Sequence, residues 1–204
     1  MSSGFPGPVM TTKSKYLASL YDEHRSIAAV LHGMQYLVRE VRERGTRIDP
    51  KVFRAMLYYL DVFPERMHHP KEEEYLFRRL RERSAEAADV LDELGREHNR
   101  GGQAIRDLEQ DLLRLEAGGE RELPAFAAAV ESFIDGYWAH MRREEQEVMP
   151  LAERALTPED WAEIEAAWAS NRDPIHGYQA EADYRKLFSQ IVNIAPPPIG
   201  VGPG

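Results

Sequence analysis

The stretch TKSKYLASLYDEHRSIAAVLHGMQYLVREVRER, residues 12–44, carries apolar residues at steps of three and four positions. They are Leu17, Leu20, Ile27, Val30, Leu31, Met34, Leu37, Val38 and Val41. Because an α-helix turns once in about 3.6 residues, this spacing places them on one face. The stretch therefore predicts a long amphipathic helix, which Gly45 ends.

A second helix follows after a short connection. Asp49 has the residue type of an N-cap, and Pro50 suits the first helical position, where a backbone N–H would have no partner. The apolar pattern continues to about Arg83. Pro64 and Pro70 lie inside it, and each deletes a backbone donor, so we expect a bend there.

Two more long helices and a short one complete the pattern. The third begins at Ser84 and stops at the AGG of residues 117–119, and the fourth runs from about 121 to 156. Thr157, followed by a proline and two acids, has the residue type that starts a helix. We expect this short fifth helix to end near Ser170.

The arrangement of these segments indicates the fold class. Strand-type alternation of apolar and polar residues is absent from the sequence. Four helices of roughly thirty residues with short connections pack antiparallel to their neighbours. We predict an all-α fold, an up-down-up-down antiparallel four-helix bundle with a short fifth helix and an irregular C-terminal tail. The predicted boundaries are a disordered lead at 1–11, the bundle at 12–156, and the fifth helix with a Pro/Gly-rich tail at 157–204, in which 178–192 is weakly helical.

The composition excludes several classes of function. A formal net charge of −9 over 204 residues argues against nucleic acid, because phosphate binding needs clustered Lys and Arg. The chain has no cysteine, which removes thiolate chemistry and cysteine-held iron–sulfur clusters. No apolar run approaches the ~20 residues of a membrane span. The first residues also lack the apolar run of a signal peptide, so we expect a cytoplasmic protein without a membrane partner.

Five histidines fall at one height of the predicted bundle: His24, His68, His69, His98 and His140. His24 lies 20 residues before Arg44, and His68 lies 18 residues after Pro50. Both are therefore about 27 to 30 Å from the same turn, and the other two turns agree within one helical turn. If these side chains face inward, they form a ring of imidazoles, and a metal ion would remove the cost of burying them.

Two of these histidines begin the same motif. HHPKEEEYLF, from His68, and HMRREEQEVM, from His140, align as H-x-x-x-E-E-x-x followed by two apolar residues. Residues four apart share a helix face, so each histidine and the first glutamate after it, Glu72 or Glu144, can serve one centre. Two carboxylates from facing helices can bridge two ions. The alternative interpretation is a solvated charged face with surface histidines.

Four motifs together suggest a family: DEHR at 22–25, HHPKEEEYLF at 68–77, REHNRGG at 96–102 and HMRREEQEVMPLA at 140–152. Over about residues 15–156 the chain resembles the hemerythrin family, specifically its bacterial hemerythrin-like HHE cation-binding domains. The resemblance implies a four-helix bundle around a non-haem, carboxylate-bridged di-iron centre, with an oxo bridge as an option. Carried over by position, the ligands are His24, His68, Glu72, His98, His140 and Glu144.

The chain departs from the oxygen-carrying branch of that family at two places. That branch has a second histidine on the third helix, where this chain has Gly102. It also has an aspartate five residues after the histidine of the fourth helix, where this chain offers Glu144 at four and Glu145 at five. The resemblance therefore does not extend to reversible oxygen transport.

Several residues keep two interpretations. His69 is either a further metal ligand in place of the missing imidazole or a cap for the bend at Pro70, and water, Tyr21 or Tyr137 are the other candidates for that position. His32 is interpreted as a core or rim residue, and Asp61 and Glu65 are either acceptors for ligand N–H groups or exposed acids. Glu73, Glu74 and Glu145 are expected to face solvent or to pair with arginines. Gly101 and Gly102 either leave room for a ligand or allow close helix packing.

Histidine and carboxylate donors without sulfur suit iron, manganese or zinc. Two bridging glutamates favour a redox pair, so two iron ions are preferred over manganese or zinc. The predicted function is a non-haem di-iron protein that binds, senses or reduces O2, peroxide or NO. The alternative is a metal-stabilised regulatory or interaction module, an iron or redox sensor without turnover, whose C-terminal tail docks to a protein partner.

Overall fold

The computed structural model describes residues 12–45 and 49–168. These residues are helical throughout apart from short connections, and no strand occurs among them. The first helix, α1, spans Thr12–Arg44, as its apolar spacing predicts. Gly45 follows it with a φ of 64°, a backbone conformation that only glycine adopts without strain.

The second helix, α2, is one continuous run of five segments: Pro50–Leu60, Asp61–His68, His69–Lys71, Glu72–Phe77 and Arg78–Arg83. Asp49 caps it, because its side chain accepts a hydrogen bond from the N–H of Lys51 at 2.9 Å. The segments that begin at Asp61 and Glu72 are π-helical, with wider turns than the rest. The first of them contains Pro64, and the second begins two residues after Pro70. π-helical turns therefore occur near both prolines, and the bend expected there stays a prediction.

The third and fourth helices have similar lengths. A 3₁₀ turn, Ala85–Ala87, leads into the α-helix Ala88–Gly118, and together they form α3. The fourth helix, α4, consists of Gly119–Glu122, Leu123–Arg143, Glu144–Val148 and Met149–Ala155. Its Glu144–Val148 segment is again π-helical.

Contacts between helices show antiparallel packing. Arg42, near the end of α1, contacts Glu131 of α4, whereas His24, nearer the start of α1, contacts Glu145, which lies further along α4. The two helices therefore run in opposite directions. Likewise α2 meets α3 through Arg54 with Glu116 at one end and through Arg81 with Asp92 at the other. The predicted all-α, up-down-up-down bundle is confirmed.

The interior has two apolar clusters. One, near the α1–α2 and α3–α4 turns, includes Leu37, Phe53, Leu112 and Phe126. The other, near the opposite end, includes Leu20, Phe77, Leu91, Val148 and Trp161. Between them lies a layer of buried histidines and glutamates. The apolar clusters therefore close that layer off from water at both ends.

A fifth helix, α5, spans Pro158–Trp168 and packs along α1. Thr157 starts it as predicted: its Oγ1 accepts from the N–H of Asp160 at 3.2 Å, and its own N–H donates to the Asp160 carboxylate at 2.9 Å. The Arg83 guanidinium also contacts Asp160 and lowers the pKa of that carboxyl to about 2.

Three predictions fall on residues that lie outside the described part of the chain: the disordered lead at 1–11, the weak helix at 178–192 and the irregular tail. The domain boundaries stay predictions. Among the described residues, no helix is both long enough and apolar enough to cross a membrane.

Replacing Asp160 should loosen the attachment of α5. We expect Asp160→Asn to lower the free energy of unfolding by about 1 to 2 kcal/mol, because the cap of α5 is weakened and the Arg83 pair is lost. Urea unfolding monitored by circular dichroism measures this, with the exposed neighbour Glu159→Gln as control.

The same pair predicts a pH dependence. The pKa of Asp160 is lower in the folded protein than in the unfolded chain, so its stabilisation is complete above about pH 4 and is lost as the pH falls toward about 2. The difference between wild type and Asp160→Asn should narrow over that range. Equal destabilisation by Glu159→Gln would contradict the assignment.

Candidate metal centre

The structure brings together all seven residues that the sequence singles out as metal ligands: His24, His68, His69, Glu72, His98, His140 and Glu144. The four helices of the bundle each contribute, and the side chains meet at one height. Both glutamates are fully buried, with 0 % exposure. The alternative of a solvated charged face is therefore wrong for these positions. Their role as ligands stays a prediction.

π-helical turns aim these side chains. Glu72 begins one π-helical segment, and Glu144 begins another at the matching position of the second motif. His68 ends the π-helical segment that contains Pro64, and the N–H of His69 donates to the Pro64 carbonyl across the wider turn. Neighbours in an α-helix point about 100° apart, yet His68 and His69 are both buried and both reach the centre. π-helical turns are rare and occur frequently at functional sites.

The donor atoms form two groups. In the first, one donor each from His24, His68, Glu72 and Glu144 lies within 4.8 Å of the others. In the second, the same holds for His69, Glu72, His98 and His140. Glu72 belongs to both groups, so the two candidate positions are adjacent.

Each of the two buried carboxylates reaches both groups. Oε1 of Glu72 lies 3.4 Å from Nε2 of His68, while its Oε2 lies 3.7 Å from Nε2 of His98. Glu144 has its Oε2 3.4 Å from Nε2 of His24 and its Oε1 3.2 Å from Nε2 of His140. Both carboxylates therefore have the arrangement of a bridge between two cations.

Several of these buried atoms lack a hydrogen bond from any described residue. They are both oxygens of Glu72, both oxygens of Glu144, Nε2 of His24 and Nδ1 of His69. The Nε2 atoms of His98 and His140 face each other at 3.2 Å. Leaving buried polar atoms without partners is costly. Cations between these atoms would satisfy them, so the residues fit a metal pair.

A second set of carboxylates orients four of the histidines through Nδ1. The partners are Glu145 for His24 at 2.8 Å, Glu23 for His68 at 2.6 Å, Glu73 for His98 at 3.0 Å and Glu97 for His140 at 2.9 Å. A proton on Nδ1, donated to the carboxylate, leaves the lone pair on Nε2, which is the nitrogen that faces the centre.

The contacts of these four carboxylates with the histidines were not predicted from the sequence. We expect from the sequence that Glu73 and Glu145 face solvent or pair with arginines; the Glu145 side chain is partly exposed, but its carboxylate also contacts His24 at 2.8 Å. Glu73 contacts Arg81, as expected, but also His98. The sequence does contain one indication of these residues, because each outer carboxylate directly precedes or follows an inner donor along the chain. Each of them nevertheless binds a histidine of another helix.

His69 has different surroundings. Its ring stacks on His98 with centroids 4.2 Å apart, and its Nδ1 lies 3.5 Å from Oε1 of Glu65. Glu65 is thus near a ligand candidate, as one interpretation predicted, and burial raises its pKa to about 7. The hydroxyl of Tyr137 donates to Glu65 at 3.3 Å. The His69 ring lies in the centre and not as a cap at Pro70.

For the other residues with two interpretations, the structure shows their surroundings. Asp61 pairs with Arg66 and belongs to neither donor group. His32 is exposed and packs on Trp138, so it is not a core residue. Gly101 provides close packing, because a Cβ there would overlap the Glu65 carboxylate. Tyr21 is half-buried beside His24 and Glu145.

The carboxylates around the centre favour protons on two of its histidines. Burial alone would lower the pKa of His24, but Glu144 and Glu145 outweigh it and raise that pKa to about 9. Burial would likewise lower the pKa of His140, but Glu144 and Glu97 outweigh it and raise that pKa to about 9. Burial and the nearby Glu144 raise the pKa of Glu72. Metal ions would replace these protons as the counter-charge.

Comparison with protein families gives one match. The family model described as the hemerythrin HHE cation binding domain matches residues 16–152, more than half of the chain. The comparisons with curated proteins and with solved structures give no match.

Metal removal should destabilise the bundle. At a free metal concentration 100 times Kd, a bound ion adds about 2.7 kcal/mol to the free energy of unfolding. We expect chelation to lower Tm and Glu72→Gln to abolish most of that difference, because the shared carboxylate is lost. Calorimetry with Fe²⁺, Mn²⁺ and Zn²⁺ measures both effects. Glu74→Gln, an exposed acid two positions away, is the matched control. A metal-independent Tm in wild type would refute the metal assignment.

The outer carboxylates should tune affinity without being ligands. Glu23→Gln is expected to weaken metal binding about 10- to 100-fold while the fold is retained, because His68 loses the partner that sets its tautomer and orientation. Competition titration against a chromophoric chelator gives the affinity. Asp22→Asn, the neighbouring exposed carboxylate that contacts Arg25, should bind as tightly as wild type. Equal affinities for the Glu23 variant and wild type would contradict the orienting role.

Proposed function

The chain belongs to the hemerythrin HHE cation-binding domain family, and on that premise we propose that its buried centre holds two iron ions that bind and reduce O2, peroxide or NO. The observation that carries the proposal is the pair of buried carboxylates. Glu72 and Glu144 each direct one oxygen to each donor group and find no hydrogen-bond donor for it among the described residues.

The donor count supports open coordination positions. The first group supplies two histidines and the two shared glutamates. The second supplies three histidines and the same glutamates. Iron takes up to six ligands in such sites, so positions remain for a small molecule. The inclusion of His69 compensates for the histidine that Gly102 replaces.

The donor chemistry favours iron. Imidazole nitrogens and carboxylate oxygens suit iron, manganese and zinc by ligand type. A bridged pair favours a redox metal, and the family relationship supports iron first. A bound iron pair supplies electrons and a Lewis acid to the small molecule.

The surrounding residues shape that chemistry. Glu23, Glu73, Glu97 and Glu145 hold the imidazole rings so that Nε2 faces inward. The two apolar clusters exclude bulk water from the ends of the centre. Tyr137 and Glu65 form a hydrogen-bonded pair beside His69 and can hold a proton at the edge of the second group.

A specific contact favours a second candidate function, a metal-dependent sensor or interaction module. Nε1 of Trp168 donates to Glu23 at 3.2 Å, and Glu23 binds His68. Lys71 also donates to the carbonyl of Ala167 at 3.0 Å. The end of α5 is therefore tied to the first donor group, and the C-terminal tail begins directly after it. Metal occupancy would then affect how the tail is presented to a protein partner. Cytoplasmic location remains part of this proposal.

Anaerobic reconstitution with ferrous iron tests the di-iron function. We expect two irons per chain, and the visible charge-transfer absorption of a ferric pair after exposure to air or peroxide, with loss of peroxide. Glu144→Gln should lower the iron content and the absorption at least tenfold, because one bridging carboxylate is lost. The exposed Glu147→Gln should match wild type. Absence of both the absorption and the peroxide loss in wild type would eliminate this function.

Deletion of residues 173–204 separates the two candidates. Unchanged iron chemistry with loss of a metal-dependent partner supports the sensor module. Unchanged iron chemistry with catalytic loss of peroxide over many turnovers supports the redox function.

A further inference from the structure

A groove of about 480 Å³ lies between α3 and α4 and ends at the second donor group. His69, His98 and His140 line its inner end. We infer that this groove binds a hydroquinone that would supply two electrons and two protons to the reaction at the proposed metal pair. This inference rests on the proposed redox function.

The size of the groove exceeds what the small oxidants need. A water molecule occupies about 30 Å³ in the liquid, and O2, NO and peroxide are only slightly larger. A volume of about 480 Å³ instead falls in the range of about 300 to 1,000 Å³ that is typical of pockets for organic ligands. Along α3 the groove runs from His98 to Asp111, a rise of about 20 Å.

Most of the wall is apolar. Ala104 and Leu108 line the α3 side, and Ala129 and Phe133 line the α4 side. The rings of Phe133 and Tyr137 lie 5.4 Å apart and present aromatic surface near the inner end. Such walls fit the faces of a flat aromatic ring.

A buried acceptor stands at the inner end. The Glu65 side chain lines the groove and is only 6 % exposed. Its Oε1 accepts from Tyr137 at 3.3 Å, and a carboxylate has further lone pairs that can accept from a ligand. Gly101 leaves the space in which this carboxylate lies. A ligand hydroxyl that donates to this carboxylate would lie near His69, whose Nδ1 is 3.5 Å from Oε1 of Glu65.

The charges around the groove disfavour acidic ligands. Four carboxylates line it, those of Glu65, Glu97, Asp107 and Asp111, and its basic side chains are Arg100 and the three histidines of the inner end. In the part of the groove away from the histidines, Asp107 and Asp111 would repel a carboxylate or phosphate, whereas a neutral phenolic hydroxyl is accepted. The apolar walls, the buried acceptor and the acidic lining together select a neutral aromatic alcohol.

The redox step balances with peroxide as the oxidant. A hydroquinone loses two electrons and two protons when its two O–H bonds break, and it becomes a quinone. Peroxide takes up two electrons and two protons when its O–O bond breaks, and it becomes two water molecules. One hydroquinone therefore reduces one peroxide, with no net gain or loss of electrons by the protein.

Gly136 allows the groove to be blocked without touching a ligand candidate. It lines the groove, and a Cβ there would meet no heavy atom within 4 Å. Gly136→Leu fills the groove and also favours the helix, since glycine weakens helix interiors. Ala139→Leu, on an exposed position of the same helix, is the matched control.

Binding is tested first, with 1-naphthol as the probe and the full chain as purified. Isothermal titration should show one site in wild type and in Ala139→Leu, and at least tenfold weaker binding in Gly136→Leu. This readout needs no iron chemistry. No binding by wild type, or equal binding by Gly136→Leu, overturns the inference.

Turnover is tested second, with 1,4-naphthohydroquinone and peroxide on the iron-loaded chain. Quinone formation should follow saturation kinetics, and Gly136→Leu should raise KM at least tenfold at unchanged iron content. If ferrous protein consumes peroxide but the hydroquinone does not sustain turnover, the inference fails while the proposed function stands. If ferrous protein reacts with no oxidant although 1-naphthol binds, the proposed function fails and the reductant role fails with it.

Discussion

Two carboxylates with no exposure to water and no hydrogen-bond donor among the described residues form the constraint on which this structure depends. Glu72 and Glu144 lie between two apolar clusters. A buried carboxylate without compensation is expensive, and two adjacent ones repel each other. Cations at the two donor groups relieve both costs at once. The family relationship and the electrostatics of the interior thus give the same account of the centre.

The constraint extends outward through hydrogen bonds. Four histidines face the centre with Nε2 and bind an outer glutamate with Nδ1, and each of these pairs joins two different helices. Arg143 then binds Glu97, and Trp168 binds Glu23. The contacts that orient the histidines therefore also hold the helices together. For this reason we expect metal affinity and folding stability to be coupled.

The two donor groups differ in their surroundings. The first donor group is adjacent to α5, whose last residue, Trp168, reaches Glu23. The second opens to the groove between α3 and α4 through His69, His98 and His140. The first donor group is thus in contact with α5, and the second with a groove. This asymmetry arises although the two ligand motifs are alike in sequence.

The sequence by itself determined the helices and the height of the ligand candidates. Apolar spacing, Asp49 and the glycines at 45 and 119 set the helix limits, and constant rise per residue places His24, His68, His98 and His140 in one layer. These are local properties of a helix, so they can be counted along the chain. Only the tertiary structure decided which nitrogen faces inward, that Glu145 serves His24, and that His69 joins its neighbour in the centre. Those outcomes depend on contacts between helices, which one helix by itself does not determine, and on π-helical turns, which the apolar spacing does not indicate.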